Sequence, residues 1–295
     1  MTNQNKSYIF AIIAILLWST VATAFKISLK NVNYVQLLFY ASLISFLTIA
    51  IILIYQKSIL RSFKCSLKEY IASALLGFIN PFLYYLVLLK AYSLLPAQIA
   101  LPLNYTWPIV LVVLSIPILG QKMKLRNFIA IIISFLGVVA ISMQGNIFNF
   151  QSSSIFGIIL AASSSIIWAT FWLLNMKDSR QEEIKLFWNF FFGFLFTLIY
   201  SMLTNNLIIP SIEGIIAVSY VGLFEMGITF TLWLKALQLT NTTDKISNLV
   251  FISPFLSLIF IHFILGESIY FTTIIGLILI VAGIIIEKTS KQTSL

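Results

Sequence analysis

NFIAIIISFLGVVAISMQGNIFNFQSSSIFGIILAASSSIIWATFWLLNM, residues 127–176, holds no Asp, Glu, Lys or Arg. A helix needs about 20 apolar residues to cross the hydrocarbon core, so this run is too long for one span. Asn146, Asn149, Gln151 and the serines at 152–154 put turn-forming residues in its middle. It reads as two spans joined by a polar connector, and the connector lies at the centre of the chain.

Working outward, the same apolar character extends over nearly all 295 residues: 60% are hydrophobic and only 9% charged. A water-soluble domain carries roughly a quarter charged residues, so lipid is the solvent for most of this surface. Ten apolar runs stand out, near 8–25, 34–55, 70–90, 96–118, 127–144, 155–176, 186–204, 213–235, 246–265 and 269–286. The first follows Lys6 and has the outline of a signal peptide, but it lacks a convincing small-residue cleavage site and reads as a retained span.

The net charge of +9 sits in the connectors. Fifteen basic residues fall on the side of the membrane that holds both termini: Lys6, Lys57, Arg61, Lys64, Lys68, Lys122, Lys124, Arg126, Lys177, Arg180, Lys185, Lys235, Lys245, Lys288 and Lys291. Lys26, Lys30 and Lys90 fall on the other. The bias predicts a multi-pass protein of the cytoplasmic (inner) membrane with both termini cytoplasmic. No basic stripe is interleaved with stacking aromatics, which argues against a nucleic-acid partner. The lone Cys65, in a basic connector, reads as an incidental thiol.

The two halves, 1–146 and 147–295, match in register. Trp18, Ser19 and Thr20 align with Trp168, Ala169 and Thr170; Gly77 with Gly222; Lys90 with Lys235; Pro108 with Pro254; Gly120 with Gly266; and Gly137 with Gly283. Each half has five spans, an odd number, so the second copy enters the membrane from the opposite face. The expected fold is all-α integral membrane, with ten transmembrane helices as two inverted five-helix repeats. Inverted repeats recur in secondary transporters, whose solute sites lie near the midplane between the copies.

Several residues within the spans have chemistry to offer. Apart from Glu213 at the very start of span 8, Glu225 is the only acidic residue in any span, and its repeat mate is Asn80. An ionised carboxylate at that depth is costly, so it faces a wet cavity, takes up a proton or meets a partner. Ammonium binding, proton coupling through Glu225 and a structural contact all fit. Lys90 and Lys235 close the third span of each half; they either snorkel to headgroups or contact a substrate carboxylate. Pro102, Pro108 and Pro254 free carbonyls within spans 4 and 9, to line water or to kink for packing. Trp18 and Thr20 in span 1, and Ser164 or Ser165, Trp168, Trp172 and Asn175 in span 6, form small-polar and aromatic stripes suited to a cavity wall. His262 reads as a buried packing residue.

Absences restrict the chemistry further. The spans hold no His, Asp, Glu or Cys cluster with metal-ligand spacing and no phosphate-binding Gly loop. The expectation is therefore no metal, no cofactor, no catalytic residue and no ATP-driven pump. An intramembrane protease or acyltransferase lacks its polar constellation.

Two five-span repeats, each with a proline in the fourth span, then a Leu-Gly-Gln or Leu-Gly-Glu turn (Leu119, Gly120, Gln121; Leu265, Gly266, Glu267) and a glycine in the fifth, resemble the EamA family of the drug/metabolite transporter superfamily. Tyr84 and Tyr85, Leu95 to Gln98, and Asn104, Tyr105, Thr106, Trp107 and Pro108 further resemble the YddG-type amino-acid exporters. The second half has Phe251, Ile252, Ser253 and Pro254 in place of that last motif. The resemblance implies a carrier of small amphipathic metabolites, amino acids or related compounds, working by alternating access with export favoured. Its solute would meet Trp18, Thr20, Asn80, Tyr84, Lys90, Asn104, Trp107, Trp168, Trp172, Glu225 and Lys235. A lipid or hydrophobic-drug translocator of the same fold and a membrane enzyme are the other readings, and facilitated diffusion fits as well as proton exchange.

Overall fold

The computed structural model describes residues 2–119, 125–143, 145, 154–240 and 249–288. Among them every regular element is helical. Seven helical stretches are long and apolar enough to cross a membrane: Asn3–Asn31, Tyr34–Tyr55, Leu67–Leu94, Ala97–Ile118, Ile155–Asn175, Glu183–Leu203 and Ile212–Trp233. Three shorter apolar helices, Ile129–Ile141, Ser253–Leu265 and Phe271–Ile286, occupy the places expected for spans 5, 9 and 10. The polar connector at 146–153, the Gly120 and Gln121 turn, and Lys122, Lys124, Lys245 and Lys291 lie outside the described residues.

In chain order the helices are α1 (Asn3–Asn31), α2 (Tyr34–Tyr55), α3 (Ile59–Ser62), α4 (Leu67–Gly77), α5 (Tyr84–Leu94), α6 (Ala97–Asn104), α7 (Trp107–Leu119) and α8 (Leu125–Ser142). Then come α9 (Ile155–Asn175), α10 (Glu182–Leu203), α11 (Ile212–Tyr220), α12 (Ile228–Leu239), α13 (Ser253–Leu265) and α14 (Phe271–Lys288). Polar side chains start them where the chain leaves a turn. Asn33 accepts the Val35 and Gln36 amides while Gln36 accepts the Asn33 amide, and Ser66 and Glu69 form the same reciprocal box at α4. Gly266, at φ +71°, closes α13 in the left-handed conformation that glycine adopts most easily.

Polarity is distributed inside out relative to a soluble protein. Phe263 is 79% exposed and Phe135 64%, whereas Ser42, Ser45, Asn80 and Asn189 are fully buried. His262 also differs from its expected burial: it is exposed, packs edge-on against Phe263 and has its Nδ1 3.0 Å from the Glu267 carbonyl. The buried face of α13 carries Ser257, Leu258 and Ile261, and His262 lies outside it.

Spans 3 and 8 are not continuous α-helices. Between α4 and α5 the residues Phe78–Leu83 wind as a wide π-turn, with Asn80 in extended backbone (φ −148°, ψ 122°) next to Pro81. Between α11 and α12 the residues Val221–Gly227 do the same. Proline has no N–H to give the preceding turn, and π-turns inside helices recur at functional sites. In the second turn the Thr229 hydroxyl donates to the Phe224 carbonyl, satisfying an acceptor that the regular ladder has left.

The proline readings are corrected by the helix boundaries. Span 4 breaks at Tyr105 and Thr106 into α6 and α7, and Pro108 is the second residue of α7. Pro254 is likewise the second residue of α13, after a 3-10 turn at Val250–Ile252. In a first turn the missing N–H has no intrahelical partner to lose. These two prolines start helices rather than kink them; of the three, Pro102 is internal, in α6.

Glycines set the closest approaches. A Cβ on Gly77 would run into the Asn189 carbonyl of span 7, and one on Gly222 would lie 2.9 Å from the Ala41 carbonyl of span 2. Span 3 thus packs on span 7 as span 8 packs on span 2. A Cβ on Gly137 would lie 2.6 Å from the Gly276 carbonyl, one on Gly276 2.5 Å from the Gly137 carbonyl, and one on Gly283 2.7 Å from the Ala130 carbonyl. Positions rise along α8 as they fall along α14, so these two helices run antiparallel.

Candidate functional site

Glu225 stands in the π-turn of span 8, only 8% exposed. Its Oε1 accepts a 3.0 Å hydrogen bond from the Tyr85 hydroxyl, and its Oε2 has no protein partner. Tyr85 and Tyr84 open α5 immediately after the other π-turn, so the two wide turns bring their own polar groups toward one another. Tyr84 donates to Asn104 Oδ1 at 3.3 Å, and Asn104 Nδ2 donates to Ser164 Oγ at 2.9 Å. Thr106 Oγ1, at the break between α6 and α7, lies 3.1 Å from Ser165 Oγ. A polar line therefore runs from span 8 through spans 3 and 4 to span 6.

Aromatic rings wall this line. Tyr84 and Trp168 have centroids 4.7 Å apart, Trp168 and Phe230 5.9 Å, and Phe230 and Trp18 6.3 Å. Trp172 lies 5.8 Å from Trp168, and Trp233 5.3 Å from Trp18. The spacing of Trp168 and Trp172 by four puts both on one face of α9. Such a wall offers ring faces to apolar or cationic groups, while the carboxylate oxygen and the amides offer hydrogen bonds.

Of the residues singled out from the sequence, Trp18, Tyr84, Asn104, Trp168, Trp172 and Glu225 meet in this cluster. Asn80 is fully buried one turn before Tyr84, with neither amide atom partnered. Thr20 points elsewhere on α1, its hydroxyl 2.7 Å from the Tyr220 hydroxyl. Trp107 begins α7, half-buried. Lys90 lies over the Tyr34 ring at 4.7 Å, outside the cluster. Lys235 is half-buried in α12, four residues before the helix ends. Tyr85 and Phe230 are central here and carried no sequence signal of their own beyond Tyr85's place beside Tyr84. Asn189 of α10, fully buried with both amide atoms unpartnered, was also missed.

A separate joint ties connectors together at the end of the molecule rich in Lys and Arg. Arg180 donates to Asp178 through Nε and Nη2, to Ser73 Oγ at 2.7 Å and, through Nη1, to Cys65 Sγ at 3.8 Å. Trp188 Nε1 donates to the Ser62 carbonyl at 2.6 Å. Burial pushes the Asp178 carboxyl up, but hydrogen bonds and charge from Arg180 outweigh it and hold the group below the usual carboxylate range.

Among the described residues no group of three or more His, Cys, Asp or Glu is placed to hold a metal ion. A family model described as the EamA-like transporter family matches twice, over residues 5–143 and 155–287. The chain is 23% identical over 293 residues to an uncharacterized transporter of Archaeoglobus fulgidus, covering 98% of this chain and 99% of that one. It is 24% identical over 275 residues to the uncharacterized transporter YoaV of Bacillus subtilis, covering 91% and 92%. A match to an uncharacterized transporter of Clostridium kluyveri is 28% identical over 181 residues and spans 58% of that relative. One crystal structure aligns over 96% of this chain and 97% of its own, with a TM-score of 0.65 and 18% identity, a likeness of fold alone.

Proposed function

The chain belongs to the EamA-like transporter family, and from that premise we propose that it is a secondary transporter moving a small amphipathic metabolite by alternating access. The carrying observation is Glu225: a buried carboxylate with one oxygen on Tyr85 and the other unpartnered, at the end of an aromatic wall. A buried polar atom left without a partner costs about 1–3 kcal/mol, more when charged, so the site suits an incoming donor. A primary ammonium would meet Oε2 while its apolar part lies against Tyr84, Trp168 and Trp18. Amino acids or related compounds combine those two features, and export is the favoured direction.

The architecture proposed is ten spans in two inverted halves, 1–146 and 147–295, with both termini on the cytoplasmic face of the inner membrane. The antiparallel pairing of α8 with α14 supports inversion, since equivalent helices of parallel copies would run the same way. The wide turns at Phe78–Leu83 and Val221–Gly227 supply matching hinges near the middle of the third span of each half. Proton coupling, in this reading, passes through Glu225.

Flux of radiolabelled amino acids into proteoliposomes tests the proposal. Protein-dependent flux that falls at least about tenfold in Glu225→Gln supports it; a tenfold change corresponds to about 1.4 kcal/mol. Flux equal to empty liposomes for every amino acid, or unchanged by the substitution, rejects the solute class or the role of Glu225 respectively.

A further inference from the structure

A cavity lies away from the aromatic cluster, at the opposite end of the membrane from the basic connectors. It has a volume of about 520 Å³ and is lined by Lys26, Leu94, Pro96, Gln98, Glu267 and Tyr270 among others. Small-molecule sites fall in the range of about 300–1,000 Å³. Its walls come from both halves: Lys26 from span 1, Pro96 and Gln98 from the start of span 4, and Glu267 and Tyr270 from the turn before span 10.

The two charged side chains are fixed but not used up. Lys26 Nζ donates to the Tyr92 and Leu95 carbonyls, each at 3.0 Å, which leaves one of its three N–H groups unspent. Glu267 Oε1 accepts the Ala97 amide at 2.9 Å and Oε2 the Gln98 amide at 3.2 Å, so each oxygen keeps a further lone-pair site. Gln98 is itself pinned, Nε2 donating to the Ser268 carbonyl at 2.8 Å and Oε1 accepting the Tyr270 amide at 2.9 Å. Lys26 and Glu267 face the same pocket without forming an ion pair. An opposite-charge pair held apart, each member retaining hydrogen-bonding capacity toward the space between, is complementary to a solute carrying both charges.

We propose that this pocket is a second solute site, taking a zwitterionic α-amino acid with its carboxylate toward Lys26, its ammonium toward Glu267 and its side chain against Leu94 and Pro96. The site rests on the transport reading above and extends it with a station at the end of the path remote from the basic connectors. The Glu267 bonds to the Ala97 and Gln98 amides join the two halves at that station, so solute held there touches both.

Equilibrium dialysis of the purified full-length protein against radiolabelled leucine tests it, with leucine amide and isocaproate as competitors that each lack one charge. Two leucines per chain are expected, one lost in Lys26→Met or Glu267→Gln and the other in Trp168→Ala. Neither competitor should displace leucine from the site that survives Trp168→Ala. Each variant is checked for a monodisperse elution profile; if Lys26→Met aggregates, Glu267→Gln, which keeps one acceptor for the helix amides, carries the test. One leucine per chain that survives both pocket variants overturns this site and leaves the aromatic cluster standing. One leucine lost only in the pocket variants supports this site and rejects the cluster. Displacement by isocaproate alone, or no bound leucine, overturns the zwitterion assignment.

Discussion

The Tyr85 hydroxyl donates a 3.0 Å hydrogen bond to Glu225 Oε1, joining span 3 to span 8 at their wide turns. Such a bond is worth about 0.5–1.5 kcal/mol to a neutral carboxyl and about 1.5–3 kcal/mol to an ionised one. Tyr85→Phe would leave both carboxylate oxygens without a protein donor. The expected outcome in a proteoliposome assay is a changed pH profile of flux, with the fold still intact by thermal denaturation. Glu225→Gln should flatten that profile. A Glu225→Gln variant that keeps the wild-type pH profile would remove proton coupling from this residue.

Trp168 touches Tyr84, Trp172 and Phe230. Trp168→Phe retains a ring, whereas Trp168→Ala removes it. Apolar surface removed from water contributes about 25 cal/mol per Å², so losing about 50 Å² of contact between the solute's apolar part and the ring should raise KM for transport by roughly tenfold. Phenylalanine should restore most of it. Equal KM values across the three proteins would show that solute does not lie on this wall.

Gly137→Val should lower thermal stability in detergent. The added Cβ meets the Gly276 carbonyl at 2.6 Å, and backbone has little room to yield. Overpacking of this kind costs about 1–3 kcal/mol. Gly266→Ala is the instructive contrast: nothing lies within 4 Å of its Cβ, and only the φ of +71° resists the change. Its loss of Tm should be smaller than that of Gly137→Val.

Asp178 supplies a pH-dependent term. Arg180 holds its carboxyl below the ordinary value, so the folded state favours the ionised form. That contribution is fully present above the unfolded pKa and is lost as pH falls through the lowered folded value. Asp178→Asn should therefore show a constant deficit in Tm above about pH 5 that shrinks toward zero in more acidic buffer. A deficit that is unchanged at low pH would assign the effect to packing instead.

Seven of the expected spans were legible in the sequence because apolar runs are properties of single segments. The π-turns were not, although Asn80, Pro81 and Gly222 mark them: local residues name a breaker, while its geometry depends on what the partner helix permits at Gly193 and Ala41. Glu225 was visible because one carboxylate in a span is rare. Phe230 was hidden among 26 phenylalanines. In the sequence Lys26 was one of three basic residues on the sparsely charged side; only the fold reveals that two carbonyls hold it beside the pocket it shares with Glu267.

The paired glycines of α8 and α14 draw their helices together through close van der Waals contact, in surroundings where lipid tails are as apolar as the helices themselves. Attraction of that origin does not depend on releasing water. Cooling weakens apolar burial from water, yet it leaves this seam without the term that cold would erode.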